Sequence, residues 1–299
     1  FILRLGALVT GLLLPLSLLA LVSAVVRAVL SLRPSAPTAP GVAPPSGAAD
    51  DPFGPMGPTR MELGKPVIAI NTATYWHALR ANGITLRNPA EETRIPVKAV
   101  EDPAEAGSAE VVLFAVKLWD TESAAERIRP LVARGGVVIP FQNGVESIER
   151  IGKVLGKERV MGGAAYIAAR IAEPGVIAQT GLMSRLRFGA VEPSQRPVAA
   201  AFHAACAKAG INAELTDDIV RVLWEKFVLL VALSGSTSVS RSRIGVVRAD
   251  SDLRWLLEAA MRETWQVGRR RGVALADDLV ESTLKMVDAL PAEMTSSMH

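Results

Sequence analysis

The chain has 299 residues, of which 49% are hydrophobic and 21% charged. That is apolar material for two domains with separate cores, and it excludes a disordered tail. Lys and Arg number 33 against 30 Asp and Glu, too small a surplus for a polyanion-binding surface, so no nucleic-acid partner is expected. The run Gly268-Arg269-Arg270-Arg271-Gly272 falls at the C-terminal end of a predicted helix, where cations suit the helix dipole. Cys206 is the single cysteine, which rules out an internal disulfide, a cysteine metal cluster and a CxxC pair. His77, His203 and His299 have no metal-ligand spacing, so no metal site is expected.

Residues 6–26 are almost wholly apolar and flanked by Arg4, Arg27 and Arg33, a length that could span a bilayer. Three readings stay open for residues 1–30: a membrane anchor, a secretion signal, or a disrupted first βα unit whose strand was 1–5. On the third reading, Gly6-Ala-Leu-Val-Thr-Gly11 keeps the outer glycines of a GxGxxG loop. Leu8 stands where a middle glycine lets the backbone approach a pyrophosphate. A membrane contact could run only through 6–26. Residues 31–66 are rich in Pro, Ala, Gly and Ser and read as a disordered linker that buries too little apolar surface to offset its ordering entropy.

Folded character begins at 67. Pro66 to Ile70 reads as a short buried strand and Thr74 to Ala81 as a helix ended by Asn82-Gly83. Ile84 to Arg87 and Ile95 to Val100 read as strands around an Asn88-Pro89 turn. Two continuously apolar runs follow, Ala109 to Lys117 and Gly136 to Gly144, each ending in polar residues, which is how buried parallel strands present ligand groups. Between them, Ala124, Ile128, Leu131 and Val132 recur at helical spacing, giving a β-α-β unit over Thr121 to Ala133. A helix is expected over Val145 to Leu155, then strands near Val160, at Gly175 to Gln179 and at Arg185 to Gly189.

From Pro193 the pattern is helical only: Arg196 to Ala209, Asp217 to Leu233, Asp252 to Arg271 and Asp277 to Leu290, with Asp217, Asp252 and Asp277 near N-terminal ends. The fold class is therefore α/β followed by an all-helical C-terminal domain, the plan of many hydroxyacid and ketoacid dehydrogenases.

One residue in the helical half stands out. Leu223-Trp224-Glu225-Lys226-Phe227 places a lysine among apolar residues in a hydrophobic helix. A desolvated lysine loses pKa and becomes a usable proton donor near neutral pH. A surface lysine beside a glutamate is the competing reading. Four pieces then occur in order: a strand ending Gln142-Asn143-Gly144, the stretch Met161 to Arg170 followed by Pro174-Gly175-Val176, Trp224 to Phe227, and Thr295-Ser296-Ser297-Met298.

In that order and at those separations the four pieces resemble the ketopantoate reductase (2-dehydropantoate 2-reductase) family, from Val67 to His299. The resemblance implies a Rossmann-like NADP-binding domain over 67–192 and a helical substrate domain of the 6-phosphogluconate dehydrogenase-like type over 193–299. It implies Lys226 as the catalytic proton donor and Asn143 as the group touching both nicotinamide and substrate. Ser297 and Ser234 fall at substrate positions. Lys117 and the Ala168 backbone fall on the cofactor side with Gly6 and Gly11. The implied chemistry is NADPH-dependent reduction of ketopantoate or another small 2-keto acid to the 2-hydroxy acid in pantothenate biosynthesis, in the cytoplasm.

Departures from the family pattern accompany the matches. Leu230, Ser234 and Ile244 stand where the family often places asparagines that hold substrate hydroxyls, which points away from the branched dihydroxy acid. Asn71-Thr72-Ala73-Thr74 lacks the family's arginine for the 2′-phosphate, and the chain stops before an acidic residue and final helices of the family's site. The second reading is thus a catalytically impaired relative acting as a membrane-anchored binding protein. The helix around Lys226 reads equally as domain core or as the seam of a homodimer.

Overall fold

A computed structural model of the chain describes residues 67–68, 83–88, 91–100, 102–296 and 298. The apolar segment, the linker, the expected helix over 74–81, Gly6, Gly11 and Ser297 lie outside the described residues. Strands β1 (Val67–Ile68) and β4 (Lys98–Ala99) pair in parallel. Strand β2 (Ile84–Arg87) runs antiparallel to β3 (Glu92–Ile95). The single strand expected over 95–100 is thus two, with Pro96 between them. Proline has no N–H to continue a ladder, which accounts for the break.

The β-α-β unit is present. Strands β5 (Val111–Phe114) and β6 (Val137–Pro140) pair in parallel, joined through helix α1 (Thr121–Val132). The helix buries Ala124, Ala125, Ile128, Leu131 and Val132 against Phe114, Val138, Ile151 and Leu155. Ile151 and Leu155 belong to α2 (Ser147–Leu155), which follows β6. Near Val160 there is only a one-residue parallel bridge to Val138. The strand itself, β7 (Gly162–Glu173), begins two residues later and returns as β8 (Val176–Gly189) in a long antiparallel hairpin turning at Gly175, φ 80°.

Two further strand expectations are corrected. The runs 175–179 and 185–189 form one strand, because the hairpin absorbs the glycine-containing middle, residues 180–184, through a register shift. Register passes from Ile167 opposite Ser184 to Ala169 opposite Gln179. The helix-only reading after Pro193 is also wrong at one place. After α3 (Arg196–Lys208), β9 (Ala213–Leu215) adds in parallel to the end of β8, while β2 adds in parallel to its beginning. An edge of unpaired backbone groups recruits even three residues whose own sequence carries no alternation.

Core packing fixes α3 on this α/β side. Val137, Ile139, Phe141, Met161, Leu186 and Phe188 are buried with Ala199, Phe202 and Cys206, and the Phe188 and Phe202 rings lie 4.9 Å apart. Burial pushes the Cys206 thiol up to about 12, so it is an inert core side chain.

The remaining helices are α4 (Ile219–Ser240), α5 (Ile244–Ala249), α6 (Ser251–Arg270) and α7 (Leu279–Asp288). Asp218 and Asp250, rather than Asp217 and Asp252, accept the first free amides of α4 and α6. Helix α4 runs seven residues past its expected end. Its polar tail is held because Ser236, Thr237 and Ser240 turn their hydroxyls back onto carbonyls of the preceding turn. Helix α6 approaches α4 at Gly268, where a Cβ would come within 2.9 Å of the Trp224 ring. Val228, Ala232, Leu233, Ile244, Leu257, Met261, Val280 and Val287 form the helical core. Among the described residues no helix is long and apolar enough to cross a membrane.

At the junction of β6, β8 and α3 the Phe188 ring is fully buried against Phe202. Phe188→Ala is expected to lower stability against urea by about 3–5 kcal/mol, the usual cost of emptying a buried phenylalanine site. A urea midpoint unchanged from the parent would contradict that placement.

Candidate active site

Three elements meet at one amine. Lys226, in the second turn of α4, points its side chain back toward the sheet. Its Nζ donates to Asn143 Oδ1 at 3.0 Å and to the Ala165 carbonyl at 2.8 Å. Asn143 lies three residues past the end of β6, and Ala165 is a buried residue of β7. Glu225, its neighbour in sequence, turns instead toward Arg187 and Arg221, with closest approaches of 3.9 and 3.8 Å. The surface-lysine reading therefore fails: the glutamate has other partners and the lysine faces inward. Burial draws the Lys226 ammonium down to about 8.

That convergence needs β7 to run close over β6, and the local sequence permits it. A Cβ at Gly163 would stand 2.7 Å from the Ile139 side chain and 2.9 Å from both the Phe141 ring and the Pro140 carbonyl. Glycine lets the strand descend there, and Ala164 and Ala165 continue the narrow stretch. Ile219, Val222 and Leu223 of α4 then pack on Ala164, which carries Lys226 into place.

Hydrogen-bond capacity is left over at this point. An ammonium has three N–H donors; among the described residues, two of those of Lys226 have acceptors and no third acceptor lies in reach. Asn143 has its oxygen engaged by the lysine, and no described residue accepts from its amide nitrogen.

The strand ends beside it carry a second set of polar groups. Gln142 donates to the Val116 carbonyl at 2.9 Å and to Thr121 Oγ1 at 3.0 Å, but its Oε1 is buried without a partner. Asp120 Oδ2, just before α1, and Ser147 Oγ, opening α2, are likewise buried and unpartnered. Burial raises the Asp120 carboxyl above its ordinary range. Lys117, also at the end of β5, is lowered by burial and sits 5.6 Å from the exposed Trp119 ring. Ala168 occupies the β7 bulge, without a ladder partner on β8.

The structure thus brings Lys226 and Asn143 together and puts Lys117 on the adjoining strand end. Ser234 is buried in α4, eight residues on and about 80° around the helix from Lys226. Thr237 and Leu233 share the lysine's face more nearly. Thr237 Oγ1 lies 3.1 Å from Ser296 Oγ, which fastens the C-terminal segment to α4. Ile244 is fully buried in the helical core. Sequence reasoning missed the Ala165 carbonyl and the Tyr166 ring, which lies 5.3 Å from the ammonium. The Gly162-Gly163 pair was the signal that could have found them.

Parallel strands followed by helices, with ligand-ready groups at their C-terminal ends and an inward-facing amine from a helical second unit, define an oxidoreductase of the Rossmann-like, two-unit type. Comparison with known proteins agrees. Residues 61–193 match the family described as ketopantoate reductase PanE/ApbA, and residues 218–299 match its C-terminal counterpart. The 2-dehydropantoate 2-reductase of Mesorhizobium japonicum is 28% identical over 67% of each chain. An oxidoreductase of Bacillus subtilis, YkpB, is 24% identical over 82% of this chain and 80% of that one. The crystal structure of 2-dehydropantoate 2-reductase from Geobacter metallireducens superimposes with a TM-score of 0.69 at 27% identity, covering 77% of each chain. The chain belongs to the ketopantoate reductase family.

Proposed function

We propose that this chain reduces a small 2-keto acid to the 2-hydroxy acid with a reduced nicotinamide dinucleotide, with Lys226 as the proton donor. The observation that carries the reading is the inward-facing, part-buried ammonium fixed on Asn143 and the Ala165 carbonyl, with one N–H left without an acceptor among the described residues. Residues 67–192 are read as the cofactor domain and 193–299 as the substrate domain, with α3 and β9 packing back on the former.

The strand ends fit the cofactor. Lys117, Asn143 and the backbone at Ala168 would hold it, and buried Gln142 Oε1 and Ser147 Oγ are polar atoms awaiting partners. When bound, it supplies a hydride to the keto carbon. The chain's part is electrostatic and acid catalysis. Negative charge develops on the keto oxygen, and the free N–H of Lys226 stabilises that charge and delivers the proton. The Asn143 amide nitrogen, left free because its oxygen faces the lysine, donates to substrate and fixes its orientation. Ser297 is read as a group on the carboxylate side and Ser234 as a further substrate-binding group.

Family relatives named 2-dehydropantoate 2-reductase make ketopantoate the first substrate to test, and NADPH the first cofactor, with a place in pantothenate biosynthesis. Leu230 follows Lys226 along α4 on nearly the same face, which favours a keto acid with a less polar side chain over a dihydroxy one. An unpaired hydroxyl in a dry site costs about 1–3 kcal/mol.

Titration with NADPH, followed by cofactor fluorescence, should saturate, and Lys226→Ala should leave that affinity nearly intact while lowering turnover about a hundredfold or more. Full turnover in the alanine variant would remove Lys226 from the mechanism. Reduction requires the charged amine, so its kcat/KM should fall as pH rises through about 8, whereas oxidation of the hydroxy acid, which needs the free amine, should rise over the same range. Parallel profiles in the two directions would contradict the assignment.

A further inference from the structure

We propose that Tyr166 is a positioning residue for the Lys226 ammonium, its ring face holding the charge between Asn143 and the Ala165 carbonyl. The inference rests on Lys226 being the proton donor and adds what keeps that donor charged and aimed. Nζ lies 5.3 Å from the ring centroid, within the reach of a cation–π contact. Consecutive residues of β7 therefore grip the amine twice, Ala165 through its carbonyl and Tyr166 through its side chain.

The ring is itself held. Tyr166 stands opposite Arg185 in the hairpin, and Arg187 is its diagonal neighbour on the same face of the sheet. Burial raises the Tyr166 phenol, and the neighbouring Arg187 guanidinium opposes that rise. Arg187 is anchored in turn, donating from Nε and Nη2 to Glu214 Oε1 of β9 at 3.0 and 2.7 Å. Arg185 pairs with the same glutamate. A four-residue cluster from β7, β8 and β9 thus holds an aromatic face beneath a part-buried cation.

Other charges near α4 are committed elsewhere. On α4 itself Glu225 faces Arg187 and Arg221, and Arg221 also approaches Asp218. On the helices packed against α4, Arg262 pairs with Glu258 and Glu281, Arg269 with Asp277, and Arg254 with Asp288. Arg248 donates to the carbonyls of Val287, Asp288 and Leu290, and Arg243 pairs with Glu293. Burial is what lowers the Lys226 ammonium, and the ring quadrupole joins the Asn143 and Ala165 oxygens in opposing the loss of its proton.

The test reads the lysine directly. Competitive acetylation of the full chain across a pH series, with the Lys226 peptide quantified by mass spectrometry, gives the titration of that amine without turnover or cofactor. Tyr166→Leu and Tyr166→Met, apolar side chains with no aromatic face, should move the Lys226 titration about one pH unit lower, while Tyr166→Phe should leave it in place. The alkaline limb of kcat/KM for keto-acid reduction should move down with it in the leucine and methionine variants alone. If both of those variants titrate as the parent does, or if the phenylalanine variant shifts as far as they do, the ring has no such role. Full turnover in Lys226→Ala would overturn the proton-donor reading by itself, so the two ideas fail separately.

Discussion

A charged amine taken out of water must find acceptors or lose its proton, and the arrangement around Lys226 is organised by that requirement. Asn143 and the Ala165 carbonyl take two of its N–H groups, and the price of leaving water appears as the lowered pKa. Each acceptor belongs to a different element. One follows a strand of the parallel pair and the other lies in the long hairpin, while the donor comes from the first helix of the second unit. Both units are consequently tied to one another at the point where chemistry is proposed, and a shift of either would strand the ammonium without partners.

Such a tie makes demands on backbone spacing. Strand β7 reaches the end of β6 because Gly163 has no Cβ to meet Ile139, Phe141 and the Pro140 carbonyl. Helix α4 settles on Ala164 through Ile219, Val222 and Leu223. Larger residues at these positions would raise the strand off the sheet and carry the Ala165 carbonyl away with it. Small residues that look unremarkable in composition therefore set the depth of the site.

Much of this was legible in the sequence, but unequally. Helices α1, α2, α3, α6 and α7 lie within about two residues of their expected bounds, since each pairs a 3.6-residue apolar period with a recognisable end. The parallel pair β5 and β6 was equally plain from continuous apolar runs. Strand β9 and the joining of β8 were not, because both depend on which edge another strand leaves open rather than on local pattern. The tail of α4 escaped notice because serines and threonines satisfy themselves inside the helix, hiding its length behind polar composition. In the site, Lys226 and Asn143 could be named from residue type and neighbours. The carbonyl and the ring between which the amine sits could not. A backbone acceptor has no residue signature, and Tyr166 is marked only by where the hairpin register puts it.

A buried oxygen without a hydrogen bond costs about 1–3 kcal/mol, so a fold does not keep several such atoms close together without return. Of the four such atoms among the described residues, Asp120 Oδ2, Gln142 Oε1 and Ser147 Oγ fall at or beside the ends of β5 and β6, the side from which a dinucleotide is approached in open α/β sheets, and Ser238 Oγ lies in the tail of α4. Along α4 beyond Lys226, Leu230 lies nearly on the lysine's own face, while Leu233 is buried in the helical core and Thr237 is engaged by Ser296. Unsatisfied polar atoms are thus more numerous on the side read as cofactor-facing, three against one in α4. That asymmetry is what a site would show if it bound a highly polar carrier firmly and recognised its small substrate mainly through the carbonyl that Lys226 and Asn143 address.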